Sequence, residues 1–596
     1  MPDVQTSALF TPIFIGGVEI RNRVVMPPMT TRYSTNAGFA TSATVAYYQA
    51  RARGGVGLIT VEMAAPEVAG RHRFHELGIY DDKFLPGLET IVKTIHDEGA
   101  RASIQLGHGG SRARRAVSQV QPIAPSAIPT PVFEIEKEIA HPEAMTKERI
   151  EETIGAFVSA AARAKRAGFD MVELHGAHGY LIAQFLSPSE NVRTDEFGGS
   201  LRNRARLCLR IIEGIKAAVP GLPVIYRLGA EDFYAEGLHA EDAYAVAEWA
   251  VEAGADAISV TAGHYKSQPG AEVMIPPMAY KEGIFLDMAA AVKARVKVPV
   301  IGVGRLGDPE IAGRAITEGK LDMTAVGRPL LADAEWVNKA RNGEPVRSCL
   351  SCNHCVNNMR GGNNLSCVVN PTTGRELEFA AGRRTATGRK IVIIGAGPAG
   401  LSYASLTAPG NTVSVIDKRG QVGGNFLLTG KAPTFNDVEA TEPSFAAYIS
   451  NLENECRRAG VRFHLGKAAQ SRPELLHEAD LVVIAAGARY RAGLGPLVEK
   501  ILNTAFMKSG AVKKVFSNQK VRDFFYYRLR VGRGNSLVRA LGLGDLPSDR
   551  LVIIGDAAQA GKAREAISSA FDAALRPLPA ANIDSLQFER NIGVQK

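Results

Sequence analysis

The sequence predicts an α/β protein in which an N-terminal (β/α)8 barrel is followed by a cysteine-rich segment and a Rossmann-like domain. Three observations lead to this prediction. Eight short apolar runs alternate with helix-like stretches in the first half of the chain. Four of the six cysteines then fall between positions 349 and 367. Beyond them, an apolar strand that starts at Lys390 runs into a glycine-rich turn, as in nucleotide-binding βαβ units.

The composition is that of a globular protein. Apolar residues make up 45% and charged residues 22% of the 596 positions, which excludes a disordered, collagen-like or coiled-coil chain. The net charge of +9 is mild for this length, and nucleic-acid binding would need a concentrated basic stripe. We find no charge-free apolar run long enough for a membrane span and no secretory signal. Six cysteines are too few for a disulfide framework, so we expect a cytoplasmic protein. We expect neither a membrane nor a nucleic-acid partner.

The eight candidate strands are nearly continuous in apolar residues, which is typical of parallel strands buried on both faces. Eight such βα units match a TIM barrel. The longest connection, residues 107–145, follows the third strand, and we expect this loop to shape the substrate pocket. The predicted strands are residues 24–28, 57–62, 102–106, 170–175, 223–228, 257–261, 299–303 and 322–326.

Polar residues follow most of these strands, at the barrel edge where catalytic groups are expected. Any one of them fits an ordinary polar rim, but their convergence on one edge predicts a functional site. The glycine–arginine pairs after strands seven and eight suit a phosphate, because glycine exposes backbone amides and arginine adds charge. The residues are Thr30, Gln105, His108, His175, His178, Arg227, Thr261, His264, Gly304, Arg305, Gly327 and Arg328.

Four segments resemble motifs of the old yellow enzyme family of FMN oxidoreductases, and the resemblance covers about residues 8–345. It implies that His175 and His178 hydrogen-bond the carbonyl oxygen of an unsaturated substrate, where two imidazole donors stabilise enolate charge. It also implies that Tyr180 protonates the α-carbon as a general acid. His264, or its neighbour Tyr265, is a further candidate catalytic group. The matching segments are residues 25–30, 105–112, 175–188 and 191–204.

The same resemblance implies how FMN would bind. Thr30 would lie at the pyrimidine edge of the flavin, and Gln105 would lie at N3 and O2. Arg227 near N1 would stabilise the reduced anionic ring. Pro28 and Met29 belong to the Thr30 motif. The phosphate would bind Gly304, Arg305, Gly327 and Arg328.

The cysteine segment has the spacing Cys349-x2-Cys352-x2-Cys355-x11-Cys367. Four such cysteines bind zinc or an iron–sulfur cluster. Zinc ribbons favour two separated pairs, so three close cysteines and a distant fourth favour a four-iron, four-sulfur cluster. The spacing is similar to that of the iron–sulfur branch of the family, which includes dienoyl-CoA reductase, enoate reductase and trimethylamine dehydrogenase. Cys208 and Cys456 stand alone, and we expect them to pack as small hydrophobic residues.

The C-terminal part carries a GxGxxG turn between a strand and a helix, with Asp417 at the end of the next strand for a ribose hydroxyl. Further glycines resemble the pattern of disulfide-reductase-like flavoproteins, which implies FAD, or at least its ADP half. The residues expected to contact this cofactor are Gly395, Gly397, Ala399, Gly400, Asp417, Gly424, Gly487, Gly555 and Asp556.

Relatives of that flavoprotein type insert a second GxGxxG domain for NAD(P)H, and residues 489–550 contain none. They contain instead a basic and aromatic stretch, residues 513–530. It fits either a docking surface for an electron-transfer partner or anionic ligand, or an amphipathic helix with aromatic residues packed inward. We favour the helix. NADH or NADPH could still reduce FMN at the barrel directly.

These observations divide the chain into an FMN-binding barrel (1–345), a cluster segment (346–374), a linker (375–389) and a truncated FAD-binding domain (390–596). His175, His178 and Tyr180 favour an ene reductase acting on an enoate, enone or dienoyl thioester. An amine dehydrogenase that passes electrons out through the cluster is the first alternative. Two observations oppose the amine dehydrogenase. Thr30 stands where the trimethylamine enzyme has the cysteine that binds its flavin covalently, and the two tryptophans, which could form a cation-binding cage, lie in predicted outer helices. A non-catalytic electron-transfer subunit is the second alternative. We expect a homo-oligomer acting on a small molecule, with an electron-transfer protein as a candidate partner.

Overall fold

A computed structural model of the chain describes residues 4–131, 139–380, 387–547 and 549–575. The predicted fold is confirmed: a closed parallel barrel of eight strands precedes a five-stranded sheet, and the cysteine-rich segment connects them. No helix in these residues is long and apolar enough to cross a membrane.

The barrel strands coincide with the predicted runs to within one or two residues. Their side chains are buried almost throughout, because neighbouring strands pack on the inside and helices cover the outside. The strands are β1 Val24–Met26, β2 Leu58–Ala64, β3 Arg101–Leu106, β4 Met171–Gly176, β5 Val224–Gly229, β6 Ala257–Thr261, β7 Val300–Gly302 and β8 Met323–Ala325.

A helix follows each barrel strand, and several begin at a capping side chain. Thr146 and Ser200 each accept a hydrogen bond from the backbone N–H three residues ahead, which satisfies a free donor at the helix start. The apolar face of each helix then packs on the strands. The helices are α1 Ser42–Arg53, α2 Leu85–Asp97, α3 Lys147–Arg166, α4 Leu201–Ala218, α5 Ala240–Glu252, α6 Leu286–Lys293, α7 Pro309–Thr317 and α8 Trp336–Asn342.

An antiparallel hairpin, Ile13–Ile15 with Val18–Ile20, covers one end of the barrel. Its buried Ile15 and Ile20 pack against the first residues of the strands, including Leu58 and Met171. Since this apolar floor covers the N-terminal ends of the strands, the functional cavity opens at their C-terminal ends.

The C-terminal domain is a parallel sheet in the order β11-β10-β9-β12-β13, as expected for a dinucleotide-binding fold. A helix, Ala563–Leu575 (α18), follows the turn at Gly555. The strands are β9 Lys390–Ile394, β10 Thr412–Asp417, β11 Arg462–Leu465, β12 Leu481–Ile484 and β13 Leu551–Ile553. The helices from the cysteine segment onward are α9 His354–Arg360, α10 Glu376–Ala380, α11 Pro398–Thr407, α12 Glu442–Arg458, α13 Pro473–His477, α14 Gly495–Leu502, α15 Gly510–Phe516, α16 Gln519–Asp523, α17 Gly534–Ala540 and α18 Ala563–Leu575.

The cysteine segment lies between the hydrophobic cores of the two domains. Cys355 belongs to the barrel core and Cys352 to the core of the C-terminal domain, while Cys367 packs against both. Within the predicted linker, Glu376 in α10 forms a buried ion pair with Arg51 of α1. Residues 381–386 of the linker lie outside the described residues.

The stretch 513–530 differs from the favoured expectation of one amphipathic helix. Asn518 caps a new helix by accepting from the backbone of Lys520, so the stretch divides into α15, α16, a single turn and the strand Arg530–Gly532. That strand pairs with Ala488–Tyr490. Phe524 and Phe525 are 48% and 44% exposed, so the prediction that the aromatic residues pack inward is wrong for these two.

Gly400, the third glycine of the dinucleotide motif, is predicted to be essential for the stability of the C-terminal domain. A Cβ on Gly400 would collide with the carbonyl oxygen of Gly395, where α11 packs closely on β9. Gly400→Ala should therefore destabilise the C-terminal domain by about 1–3 kcal/mol. Hydrogen exchange should become faster in β9 and α11 and stay unchanged in the barrel strands. Gly420→Ala, where a Cβ meets nothing within 4 Å, is the matched control, and equal exchange in the two variants would contradict this account.

Candidate active site

A cavity of about 920 Å³ opens at the C-terminal ends of the barrel strands. Most residues predicted for the site line it, and so do residues of the cysteine segment, including Cys349 and Cys355. No described residue of the 107–145 connection does, which differs from the expectation for that loop. The predicted residues that line the cavity are Pro28, Met29, Thr30, Gln105, His175, His178, Tyr180, Arg227, Thr261, Gly304, Arg305, Gly327 and Arg328.

His175, His178 and Tyr180 form one cluster at the end of β4. The ring centres of His175 and His178 are 5.2 Å apart, and those of His175 and Tyr180 are 5.0 Å apart. His178 and Gly179 both have a left-handed backbone, with φ of 59° and 67°, which turns the chain back over the strand end. Such strained positions are common in active sites.

Both imidazoles are held in the neutral form. Burial, with help from Arg227, lowers the pKa of His178 to about 3. Burial also lowers the pKa of His175, and there His178 and Arg227 contribute. The Nδ1 atom of His175 is buried and has no hydrogen-bond partner among the described residues. Two neutral rings of this kind can donate hydrogen bonds to an oxygen without placing a full charge beside it.

A buried ion pair supports the loop that carries these groups. Arg112 contacts Glu190 over 3.0 Å and also donates to the carbonyl oxygen of Gly179. Burial alone would raise the pKa of Glu190, but Arg112 and His264 hold it below its ordinary value.

The position of His264 differs from its predicted catalytic role. Its Nε2 donates to Glu190 over 3.2 Å and its Nδ1 accepts from the backbone of Lys266 over 3.0 Å. The ring is fully buried and does not line the cavity. His264 therefore acts on the loop through Glu190. The neighbouring Tyr265, which the sequence offered as the other candidate, does line the cavity.

Tyr180 lies among polar groups that the sequence analysis missed. Its hydroxyl is 3.2 Å from both the Nε2 of His72 and the hydroxyl of Tyr265. His72 also accepts from Arg73 and donates to Glu76 over 2.9 Å. Burial and Tyr265 raise the pKa of Tyr180 although Arg73 opposes them, so the phenol stays protonated.

Two arginines complete this wall of the cavity, and neither was predicted. Arg73 follows β2, where the sequence showed no polar motif, and Arg360 ends α9 in the cysteine segment. Only the folded chain brings these distant positions together. The nearest sequence signal is the run Arg71-His72-Arg73, which by itself is typical of any exposed loop.

The groups expected at a flavin ring are arranged to receive one. The Nε2 of Gln105 donates to Glu173 over 2.7 Å, which leaves the amide oxygen for an N–H such as flavin N3. Arg227 donates to Ser259 over 3.2 Å beneath the cavity. A Cβ on Gly304, whose φ is 113°, would stand 2.7 Å from Phe285, so only glycine fits that part of the wall.

The side chains of Arg305 and Arg328 line the cavity and also donate to protein groups. Arg305 donates to the carbonyl oxygen of Tyr280. Arg328 donates to Asn353 of the cysteine segment over 2.5 Å and to the carbonyl of Pro276 over 2.7 Å.

The four predicted cluster cysteines are mutual neighbours. Burial, with Cys349 next in importance, raises the pKa of Cys352 to about 11 and that of Cys367 to about 12. Burial and Cys352 also raise the pKa of Cys355. Within the described chain, no group of three His, Cys, Asp or Glu side chains is close enough to hold a single metal ion.

A second cavity, of about 1090 Å³, lies at the C-terminal edge of the β9–β13 sheet. Asp417 accepts from the backbone of Ala396 over 2.7 Å and of Arg419 over 2.8 Å, which fixes the turn. Gly400 and Gly555 do not line the cavity but allow close packing around α11. The predicted residues that line it are Gly395, Gly397, Ala399, Asp417, Gly424, Gly487 and Asp556.

Comparison with known proteins agrees with this geometry. Residues 8–346 match the model of the NADH:flavin oxidoreductase / NADH oxidase family, and residues 393–433 match an NAD(P)-binding Rossmann-like domain. The chain is 37% identical to an NADH oxidase of Thermoanaerobacter brockii over 80% of its length and 73% of that protein. It is 34% identical to a cinnamate reductase of Clostridium sporogenes over 82% of this chain and 75% of that protein. An N,N-dimethylglycine/sarcosine dehydrogenase of Chromohalobacter salexigens is 30% identical over 81% of this chain and 69% of that protein.

Glu62, a buried carboxyl group on β2, gives a prediction for the pH dependence of stability. Glu62 accepts from the backbone N–H of Thr31 over 2.8 Å, next to Thr30. Burial raises the pKa of Glu62 to about 7, so the folded protein binds more protons than the unfolded chain between about pH 4.5 and 7. Ionisation should therefore lower stability as the pH rises through this window, by up to about 3 kcal/mol.

Glu62→Gln, which keeps an acceptor for Thr31, should remove that loss. The difference between its thermal unfolding midpoint and that of the wild type should therefore shift in favour of the variant from pH 5 to pH 8. Glu89→Gln on the exposed face of α2 is the control and should follow the wild type at both values. Parallel pH profiles for Glu62→Gln and the wild type would refute the assignment.

Proposed function

The chain belongs to the NADH:flavin oxidoreductase / NADH oxidase family and is a flavin-dependent oxidoreductase, and from this premise we propose that it reduces an activated carbon–carbon double bond. The observation that carries the proposal is the cluster of two neutral imidazoles and one protonated phenol at the end of β4. An ene reduction needs two donors at a carbonyl oxygen and one acid at the neighbouring carbon.

FMN, when bound in the barrel, would supply the hydride chemistry for the β-carbon of the alkene. His175 and His178 would hold the carbonyl oxygen, whose negative charge grows as the hydride arrives. Because both rings are neutral, this charge is stabilised by donated hydrogen bonds and not by a cation. Gln105 and Arg227 would hold the flavin edge, with Pro28, Met29 and Thr30 beside it. The amides at Gly304–Arg305 and Gly327–Arg328 would meet the phosphate.

Tyr180 would deliver the proton to the α-carbon, and the balance is one hydride plus one proton per double bond. The raised pKa of Tyr180 keeps that proton in place until the enolate forms. His72, Tyr265 and Arg73 surround the phenol oxygen and would stabilise the phenolate left behind. His264 would act as a positioning residue through Glu190 and the Gly179 loop.

We also propose that Cys349, Cys352, Cys355 and Cys367 hold a four-iron, four-sulfur cluster, which would pass single electrons. A tetrahedral zinc site with bonds of 2.3 Å requires sulfur atoms about 3.8 Å apart, whereas a cluster spreads its four cysteines over several irons. The sequence spacing, three close cysteines and a distant fourth, supports the cluster. Their position between the two domain cores suits exchange between FMN and a flavin in the second cavity.

For the second cavity we propose FAD, held by the glycine turn at 395–400 and by Asp417. The described residues between β12 and β13 contain no second parallel sheet for NAD(P)H. We therefore propose that NADH or NADPH delivers electrons at the barrel.

Oxidation of an amine is the second candidate function, because one of the relatives is a dimethylglycine/sarcosine dehydrogenase. The charge of the site opposes it. Arg73, Arg227 and Arg360 line the cavity around the two histidines, and a protonated amine would meet cations there. Trp249 and Trp336 lie on outer helices α5 and α8, as predicted, and Trp336 also lines the cavity.

Anaerobic rapid mixing tests the proposed direction. Purified holoenzyme is reduced with NADH or NADPH and then mixed with an enoate, an enone or an enoyl thioester while the flavin band is followed. Reduction by nicotinamide and reoxidation by an alkene are expected. Bleaching by methylated amines alone would establish the dehydrogenase instead.

Tyr180→Phe tests the proton donor. The variant should be reduced by NADH at the wild-type rate, because the phenol takes no part in that step. Its reoxidation by an alkene should be slower by about 100-fold or more, the usual contribution of a general acid. Unchanged alkene turnover would remove Tyr180 from the mechanism.

Cys352→Ala tests the cluster. The variant should lose iron and acid-labile sulfide, because only three of the four thiolate ligands remain. Electron transfer between the two flavins should then be lost. Cys456→Ala, a buried cysteine of the C-terminal domain outside the cluster segment, is the control and should retain iron. Full iron content in Cys352→Ala would refute the ligand assignment.

A further inference from the structure

Glu173 is a buried carboxyl group that the proposed reaction leaves without a role. It lies on β4 between Met171 and His175 and is 1% exposed. Residues two apart on a strand face the same side. Glu173 therefore points into the barrel, above the apolar floor that contains Met171 and below His175, which lines the cavity. Burying a carboxyl group in such a place is costly unless it has partners.

The first partner is the side-chain amide of Gln105 on the neighbouring strand β3. The two residues are paired in the register of the sheet, and Oε1 of Glu173 accepts from Nε2 of Gln105 over 2.7 Å. A free amide can present either its oxygen or its NH2 group to the cavity. A carboxylate can only accept, so it takes the NH2 group and leaves the amide oxygen for a ligand. Glu173 thus fixes which end of Gln105 a flavin would meet.

The second partner is the cation of Arg227 on β5. Burial lowers the pKa of Arg227, and among the described residues Glu173 is the one group that raises it. Burial raises the pKa of Glu173, and Arg227 is the first of the groups that oppose this rise. Arg227 itself donates to the neutral hydroxyl of Ser259. The negative charge that offsets Arg227 inside the barrel therefore comes from Glu173.

This arrangement has a consequence for a bound flavin. The proposed function places Arg227 beside the part of the ring that gains negative charge on reduction. An unopposed cation there would stabilise the reduced ring, and hydride would leave it less readily. The charge of Glu173 offsets part of that stabilisation. Glu173 does not line the cavity, whereas Gln105 and Arg227 do, so it acts on the flavin position through these two side chains.

We propose that Glu173 is a positioning residue for the flavin. Its carboxylate holds the Gln105 amide in one orientation, and its charge keeps the reduced flavin a strong hydride donor by offsetting Arg227. The inference rests on the proposed FMN site and goes beyond it, because it assigns control of the redox balance to a residue that touches neither cofactor nor substrate. Glu173 itself exchanges no proton and no electron in this role.

Two substitutions separate the two effects. Glu173→Gln has nearly the same size, keeps an oxygen that accepts from Gln105, and removes the charge. Glu173→Leu removes both the acceptor and the charge. Glu213→Gln, at an exposed position on α4, is the control. Each holoenzyme is diluted in the oxidised and in the dithionite-reduced state, and the released FMN is quantified by chromatography, which yields one Kd for each state.

In Glu173→Gln, the Kd of oxidised FMN should stay close to the wild-type value. The Kd of reduced FMN should fall at least about tenfold, the size expected when one nearby charge is removed from a buried site. For a two-electron couple, a tenfold change in this ratio corresponds to a midpoint potential about 30 mV more positive. In Glu173→Leu, the Kd of oxidised FMN should rise at least about tenfold, because the Gln105 amide loses its partner. Glu213→Gln should match the wild type in both states.

An unchanged ratio of the two Kd values in Glu173→Gln would overturn the proposal. So would a wild-type Kd for oxidised FMN in Glu173→Leu, or an equal loss of affinity for both states in Glu173→Gln, which is the result of a merely structural role. If Glu173→Leu does not fold, the ratio in Glu173→Gln decides alone. The measurement needs no substrate, so it decides the role of Glu173 even if no alkene reoxidises the enzyme and the proposed reduction fails.

Discussion

The buried ion pair between Arg112 and Glu190 is the interaction on which the proposed active site depends. It lies directly beneath the loop at the end of β4, and Arg112 donates to the carbonyl oxygen of Gly179. Without that support, the left-handed turn at His178 and Gly179 would lose a partner that fixes it. Removing one member of a buried pair usually costs about 3–5 kcal/mol, because the other charge is left unpaired. The pair therefore supports the turn that lies between His178 and Tyr180.

The cysteine segment adds a second constraint, because it belongs to both domains. Asn353 holds Arg328 of the barrel and donates to the carbonyl of Ile275 over 2.7 Å. In this way α9 is held over the cavity, with Cys355 near its start and Arg360 at its end. One short helix therefore places a proposed cluster ligand and an arginine at the same cavity.

The sequence predicted those features that depend on local patterns. The eight apolar runs identified the barrel strands, because parallel strands are buried on both faces, and the glycine turn identified the second domain. His175, His178 and Tyr180 could be assigned because they lie in one continuous motif. Arg73 and Arg360 could not, since each is an ordinary charged residue until the fold places it beside Tyr265. His264 also looked catalytic from its position after β6, and only the structure shows both of its nitrogens bonded to protein groups.

The most direct test of the account is the fate of hydrogen in the product. Alkene reduction is run with NADH deuterated at its hydride position in ordinary water, and again with ordinary NADH in deuterium oxide, and the product is examined by NMR. The account predicts deuterium only at the β-carbon in the first reaction and only at the α-carbon in the second, because the hydride comes through the flavin and the proton from Tyr180. Deuterium from the solvent at the β-carbon, or no saturated product at all, would contradict it.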